Sequence, residues 1–164
     1  MLRKQILTDS PRTPVSQPDE IDIVATATVQ VTSEEGTHPI DNVFDTQRGR
    51  GGTRWVAAEP GEQTVILVFD APQTIRRITV EIEEPTVSRT QELQVSVSHD
   101  GGRTYQELLR QEYTFSPSGT TFEREEWAVT VDGVTHLRLW IKPDKGGRPC
   151  QATLTSLVLE KARA

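Results

Sequence analysis

Residues 91–105, QELQVSVSHDGGRTY, constrain the fold more than any other segment. Leu93, Val95 and Val97 alternate with Gln94, Ser96 and Ser98. Successive side chains of an extended strand point to opposite faces, so this is a strand with one face in a core and one in water. Asp100-Gly101-Gly102 interrupts the alternation, and Tyr105 opens another strand. Glycine adopts positive φ without a steric penalty, which a tight hairpin needs. Scaffolds assembled from such hairpins carry their binding residues on the loops.

Strand signals continue along most of the chain. They predict strands over residues 24–32, 64–69, 74–83, 92–98, 105–115, 121–131, 136–141 and 152–160, rich in Val, Ile and Thr. No segment has a sustained helical period. Eight strands joined mostly by antiparallel turns predict an all-β fold: a two-sheet antiparallel β-sandwich of the jelly-roll type. Residues 1–20 are polar, with prolines at 11, 14 and 18, and read as a flexible arm with a short helix over residues 3–7. Residues 21–164 then form one domain, a size that buries a substantial core.

Composition narrows the partners. A net charge of −6 argues against non-specific binding to nucleic acid or an anionic membrane. The single cysteine, Cys150, forms no internal disulfide, in keeping with a reducing compartment. The first ten residues lack an apolar stretch after their two basic residues, so no signal peptide is expected and the expected location is cytoplasmic. The expected state is a monomer.

Loop length separates the two ends of the sandwich. If successive strands are antiparallel, the connections at 70–73, 99–104 and 132–135 share one end and are short. Those at 33–63, 84–91, 116–120 and 142–151 share the other and are longer, with many Gly, Pro, Arg and Ser residues. Long loops on one rigid rim are where such a scaffold binds a ligand. The rim carries Arg48, Arg50, Arg54, Arg89, Phe115, Lys142, Lys145 and Arg148.

The ordered motifs resemble the discoidin-like, coagulation-factor C-type family, which has the galactose-binding-domain-like fold and includes carbohydrate-binding modules of family 32. His38-Pro39-Ile40-Asp41-Asn42-Val43-Phe44-Asp45 is similar to the family's H-P-A-x-N-A-x-D-G, and Thr53-Arg54-Trp55 to its T-x-W. Residues 65–75 resemble V-D-L-G-x-P-x-x-I, residues 98–102 S-x-D-G, His136-Leu137-Arg138-Leu139 Y-V-R-L, and residues 153–159 the final strand. The likeness covers residues 24–160. It implies Trp55 as a packing residue. It also implies a structural calcium on an aspartate, a nearby Thr or Ser, loop carbonyls and a last-strand Glu. Asp45 and Thr53 are the corresponding oxygen ligands here. Thr46 replaces the motif's glycine, and Ser156 brings no charge where the last-strand Glu falls. A cofactor-free, hydrogen-bonded loop is therefore the expectation.

Catalytic chemistry finds little support. A hydrolase requires a nucleophile, a histidine and an orienting carboxylate in contact. Of His38, His99 and His136, only His38 lies on the rim, and none has metal-ligand spacing. Cys150 follows Arg148-Pro149, a cation that lowers a thiol's pKa, but no candidate base accompanies it. The Gly49-Arg50-Gly51-Gly52 run precedes no helix and is no phosphate loop. Glu123 and Glu125 share one strand face, as solvated sheet residues do. The expectation is a non-enzyme.

Sugar recognition uses a ring to stack on and planar hydrogen-bonding groups. Of Phe115 and Phe122, which bracket the 116–120 loop, one should seal the core and the other present a ring. The KPDKGGRPC loop carries three basic residues and one acidic. The primary expectation is a glycan ligand bound by Arg50, Arg54, Arg89, Phe115, Lys142, Lys145 and Arg148. The alternative is an intracellular protein-interaction module, because the resemblance extends to domains of DNA-repair scaffolds and ubiquitin-ligase assemblies. Few aromatics, at 5%, favour the alternative.

Overall fold

The computed structural model describes residues 19–161. The expected arm and the helix over residues 3–7 lie outside them, apart from residues 19 and 20. These two are tied into the fold: the Lys161 N–H donates to the Asp19 carbonyl, and Glu20 bridges to Glu160.

Eight strands run β1 Ala27–Val31, β2 Trp55–Val56, β3 Gln63–Glu83, β4 Arg89–Ser98, β5 Gln106–Phe115, β6 Phe122–Lys142, β7 Thr153–Leu154 and β8 Ser156–Glu160. A single helical turn, α1 Ile23–Thr26, precedes β1. Its N-cap Asp22 accepts from the Ala25 N–H at 3.2 Å. A 3-10 helix spans Ile40–Phe44.

Two expected strand pairs prove to be single long strands. Residues 64–69 and 74–83 belong to β3, and 121–131 and 136–141 to β6. The separating segments, Asp70-Ala71-Pro72-Gln73 and Asp132-Gly133-Val134-Thr135, have turn composition. They are instead paired irregularities: Val68 faces His136, yet Gln73 already faces Val134. Extra residues in one strand bend it without ending the ladder, and a bulge accommodates Pro72.

The bends create the two layers. The first half of β3 pairs with β1 and with the last part of β6, which also pairs with β4, and β4 pairs with β5. The second half of β3 lies between β8 and the first half of β6. The short β2–β7 ribbon is a separate two-stranded sheet. This is an antiparallel β-sandwich of the jelly-roll kind. Leu67, Leu93, Val95, Leu137 and Leu139 meet Ile78, Val80, Ile82 and Leu159 in one core, each at most 1% exposed.

The hairpin over residues 91–105 forms as expected. Gly101 and Gly102 have φ of 78° and 87°, and a Cβ on Gly102 would stand 3.1 Å from the His136 ring. Asp100 organises the turn, accepting from the Ser98 and Thr104 hydroxyls at 2.7 and 2.6 Å and from the Arg103 and Thr104 N–H groups. These bonds, led by the Thr104 hydroxyl, hold its carboxyl far below the usual range. A depressed folded pKa adds stability that is present above the unfolded value of about 4 and is lost as pH falls through the folded one. The melting temperature of Asp100→Ala should therefore trail that of the parent most at pH 7. The gap should narrow steadily in scans taken below pH about 4.

Candidate functional site: the loop rim

The long connections do gather at one end. The Glu84 N–H donates to the Thr121 carbonyl, Lys145 N–H to Thr90, Gly61 N–H to Cys150 and Ala57 N–H to Ala152. At the other end, Gly101 N–H donates to the Thr135 hydroxyl and Arg76 pairs with Asp132.

Arg89 ties the rim together from beneath. At 4% exposure it is not the ligand contact expected from sequence. Its guanidinium donates to Glu84 Oε1 at 2.5 Å, to the Gln151 carbonyl at 2.6 Å and to the Pro143 carbonyl at 3.3 Å. It also lies 3.6 Å from Cys150 Sγ. Glu84 in turn accepts from the Thr86 and Val87 N–H groups. One buried ion pair thus joins the start of β4, the 84–88 loop and the 142–151 loop. Phe115 is corrected likewise: it is 1% exposed, opposite Arg89 in the β4–β5 register, and seals the core. Phe122 is the half-buried ring, and Arg50 stands over it with its guanidinium 5.3 Å from the ring centroid. Arg50 also donates to the Thr121 hydroxyl at 3.3 Å.

The KPDKGGRPC loop is shaped by Asp144. Buried itself, Asp144 accepts from the Thr90 N–H at 3.2 Å and from the Arg148 N–H and Nε–H at 3.2 and 3.1 Å. Burial pushes its carboxyl up, but the Thr90 and Arg148 bonds and the Arg148 charge together hold it below the usual range. Lys145 turns away and pairs with Glu112 on β5 at 2.8 Å. Lys142 and Arg148 remain together, lining a cavity with Pro60, Glu62, Asp144 and Pro149. Behind Glu62, Trp140 donates its Nε1–H to that carboxylate at 2.8 Å. Arg54 is half-buried, and its Nε has no hydrogen-bond partner. The seven expected contact residues therefore divide. Lys142 and Arg148 share a cavity, Arg50 sits on Phe122, Lys145 lies to the side, Arg54 faces inward, and Arg89 and Phe115 are buried.

Trp55 is a core residue, 0% exposed, with its indole N–H on the Ser33 carbonyl at 2.9 Å. His38 does stand beside a carboxylate, with Nδ1 3.1 Å from Glu35 Oε1. The contact closes a four-residue turn. Thr37 also donates its hydroxyl to Glu35, and that bond, followed by the His38 contact, lowers the Glu35 carboxyl. The Thr37 hydroxyl lies 2.8 Å from Glu35 Oε1 and 3.0 Å from His38 Nδ1, so the three groups form one local cluster within an exposed surface turn.

Asp45 and Thr53, the candidate calcium ligands, face each other across the 45–53 loop. Asp45 accepts from the Thr53 hydroxyl and, at 2.9 Å, from the Gln47 N–H. A further acid beside this loop is Glu81, the cross-strand partner of Ser156. It accepts from the Gly49 N–H at 2.8 Å and lies 3.5 Å from Arg124 Nε. No group of three His, Cys, Asp or Glu side chains suited to a metal occurs among the described residues. A hard cation takes six or more oxygens, several of them charged. Here amide N–H groups and an arginine occupy the carboxylates, so the residues do not fit calcium.

Sequence comparison matches residues 20–137 to the model of the XRCC1 N-terminal domain. The chain belongs to the XRCC1 N-terminal domain family. No curated protein sequence matches the chain. Solved structures with the same fold include the CBM32-1 and CBM32-2 domains of Clostridium perfringens ZmpB in complex with GalNAc. That match has 17% identity and a TM-score of 0.62, over 88% of this chain and 36% of that one. The family 32 module of C. perfringens NanJ in complex with galactose matches at 16% identity and TM-score 0.58, over 86% and 97%. The CBM32 of AlyQ, in complex with 4,5-unsaturated mannuronic acid, matches at 18% and 0.56, over 87% and 98%. This chain spans about a third of the ZmpB fragment. These likenesses show the fold. They agree with the discoidin-like resemblance of the motifs, and family membership extends it.

Sequence reasoning missed Glu84 and Asp144, the acids that shape the rim. Each precedes a cation by four or five residues inside a Pro-containing loop, Glu84 before Arg89 and Asp144 before Arg148. That spacing is the one signal of their roles.

Proposed function

We propose that this chain is a non-catalytic binding module that holds a glycan on its loop rim. One observation carries the reading. A buried polar frame, centred on Arg89 with Glu84 and on Asp144, fixes the loops and leaves Lys142 and Arg148 around an open cavity. Preorganised donors lose little freedom on binding, which is how a shallow sugar site reaches useful affinity. Arg50 on Phe122 adds a planar donor stacked on a ring at the same end. The fold's likeness to modules described with GalNAc and galactose supports the ligand class.

A glycan panel titrated into labelled protein should shift the amides of residues 60–62 and 142–149. Lys142→Ala should weaken the best binder about tenfold, the scale of one lost charge-assisted hydrogen bond. Panel-wide silence at those amides would overturn the reading.

Membership of the XRCC1 N-terminal domain family favours a second reading, a protein-interaction module. It would show as a co-purifying protein whose binding Lys142→Ala leaves unchanged.

A further inference from the structure

We infer that Glu81 and Glu83 are positioning residues of the rim: their carboxylates hold the 45–53 loop, and with it Arg50, in place of a metal ion. For its functional consequence this rests on the rim reading; the structural claim stands alone. Both acids lie at the end of β3 beside the loop. Glu81 accepts the Gly49 N–H at 2.8 Å and Glu83 accepts the Gly51 N–H at 3.0 Å. The two amides flank Arg50, so the pair of bonds fixes the residue that reaches Phe122 and Thr121.

The loop needs such a hold. Its first turn puts Thr46 at φ 71°, the one non-glycine residue in the left-handed region among the described residues. A β-branched side chain is strained there, and such a conformation persists only where its surroundings impose it. Gly52 packs tightly as well, since a Cβ would meet the Gln47 carbonyl oxygen at 2.7 Å. Glu81 is itself buried, at 5% exposure, with Arg124 Nε at 3.5 Å and the Ser156 hydroxyl at 3.4 Å from its carboxylate. A buried carboxylate that accepts a backbone N–H and a hydroxyl and lies against an arginine has much of its acceptor capacity used within the protein.

Amide hydrogen exchange on the free protein tests this. Glu83→Ala should speed exchange at Gly51 about tenfold or more, with the Val95 amide in β4 unchanged. Glu81→Ala should do the same at Gly49, and Glu81→Gln, which keeps an acceptor oxygen, should restore most of the protection. If burial makes Glu81→Ala unstable, the half-buried Glu83 decides the matter alone. Calcium at about 5 mM, above the dissociation constants of weak extracellular modules, should leave both amides unmoved. Unchanged Gly51 exchange in Glu83→Ala, or a saturable calcium shift of these amides, overturns the inference. A rim that binds no glycan leaves the exchange result untouched, so the two claims fail separately.

Discussion

Arg89→Ala should destabilise the domain by about 3–5 kcal/mol, because it strands Glu84 as an unpaired buried carboxylate. It also removes the donor from the Gln151 and Pro143 carbonyls. For a domain of this size, the melting temperature should fall by about 10 °C or more. The loss should be coupled. Combined with Glu84→Ala, the two changes should fall short of their sum by about 1–3 kcal/mol, since each removes the same ion pair. Urea unfolding of the two single variants and the double variant gives all three values. A parent-like midpoint for Arg89→Ala would show that the pair does not hold the rim. With the expected destabilisation, lost binding in this variant reports loop collapse, not a missing ligand contact.

Trp55→Ala should have an effect of similar size, about 3–5 kcal/mol, from a large cavity in the core. Trp55 is fully buried on β2, pairs with Leu154 on β7, and bonds the Ser33 carbonyl through its indole. Trp55→Phe separates the contributions. It keeps most of the packing but leaves the Ser33 carbonyl without that donor, at about 1–3 kcal/mol. Calorimetry should rank the parent first, Trp55→Phe second and Trp55→Ala last. Equal melting temperatures for the two variants would assign the whole effect to the lost indole bond, and a parent-like Trp55→Phe would assign it to packing.

The rim shows why some roles were legible in sequence and others were not. Trp55 stood in a motif whose packing role the resemblance implies, and the structure agrees. Between Phe115 and Phe122 the sequence pointed to Phe115 as the ligand contact, and the structure buries it. Both adjoin the 116–120 loop, and only the β4–β5 register, which sets Phe115 opposite buried Arg89, decides it. Arg89 itself was misread. Arginine in a loop-bordering position suggests a solvent-facing donor, yet carbonyls 54 and 62 residues away converge on it. Glu81 was unreadable for a related reason, because a carboxylate on a strand has the same pattern whether it meets water or a neighbouring loop's amides.

Local chain chemistry, acting alone, determined most of the extended segments, the hairpin at Asp100-Gly101-Gly102 and the separation of short from long connections. Side-chain alternation and glycine's access to positive φ are properties of adjacent residues, so they can be read directly. The tertiary structure decided the rest: that β3 and β6 run unbroken through both layers, and which cations of the rim are buried and which line its cavity. Those outcomes depend on which distant backbone groups arrive beside a given side chain. An arginine is a surface donor in one setting and an internal brace in another, according to the carbonyls and carboxylates packed around it.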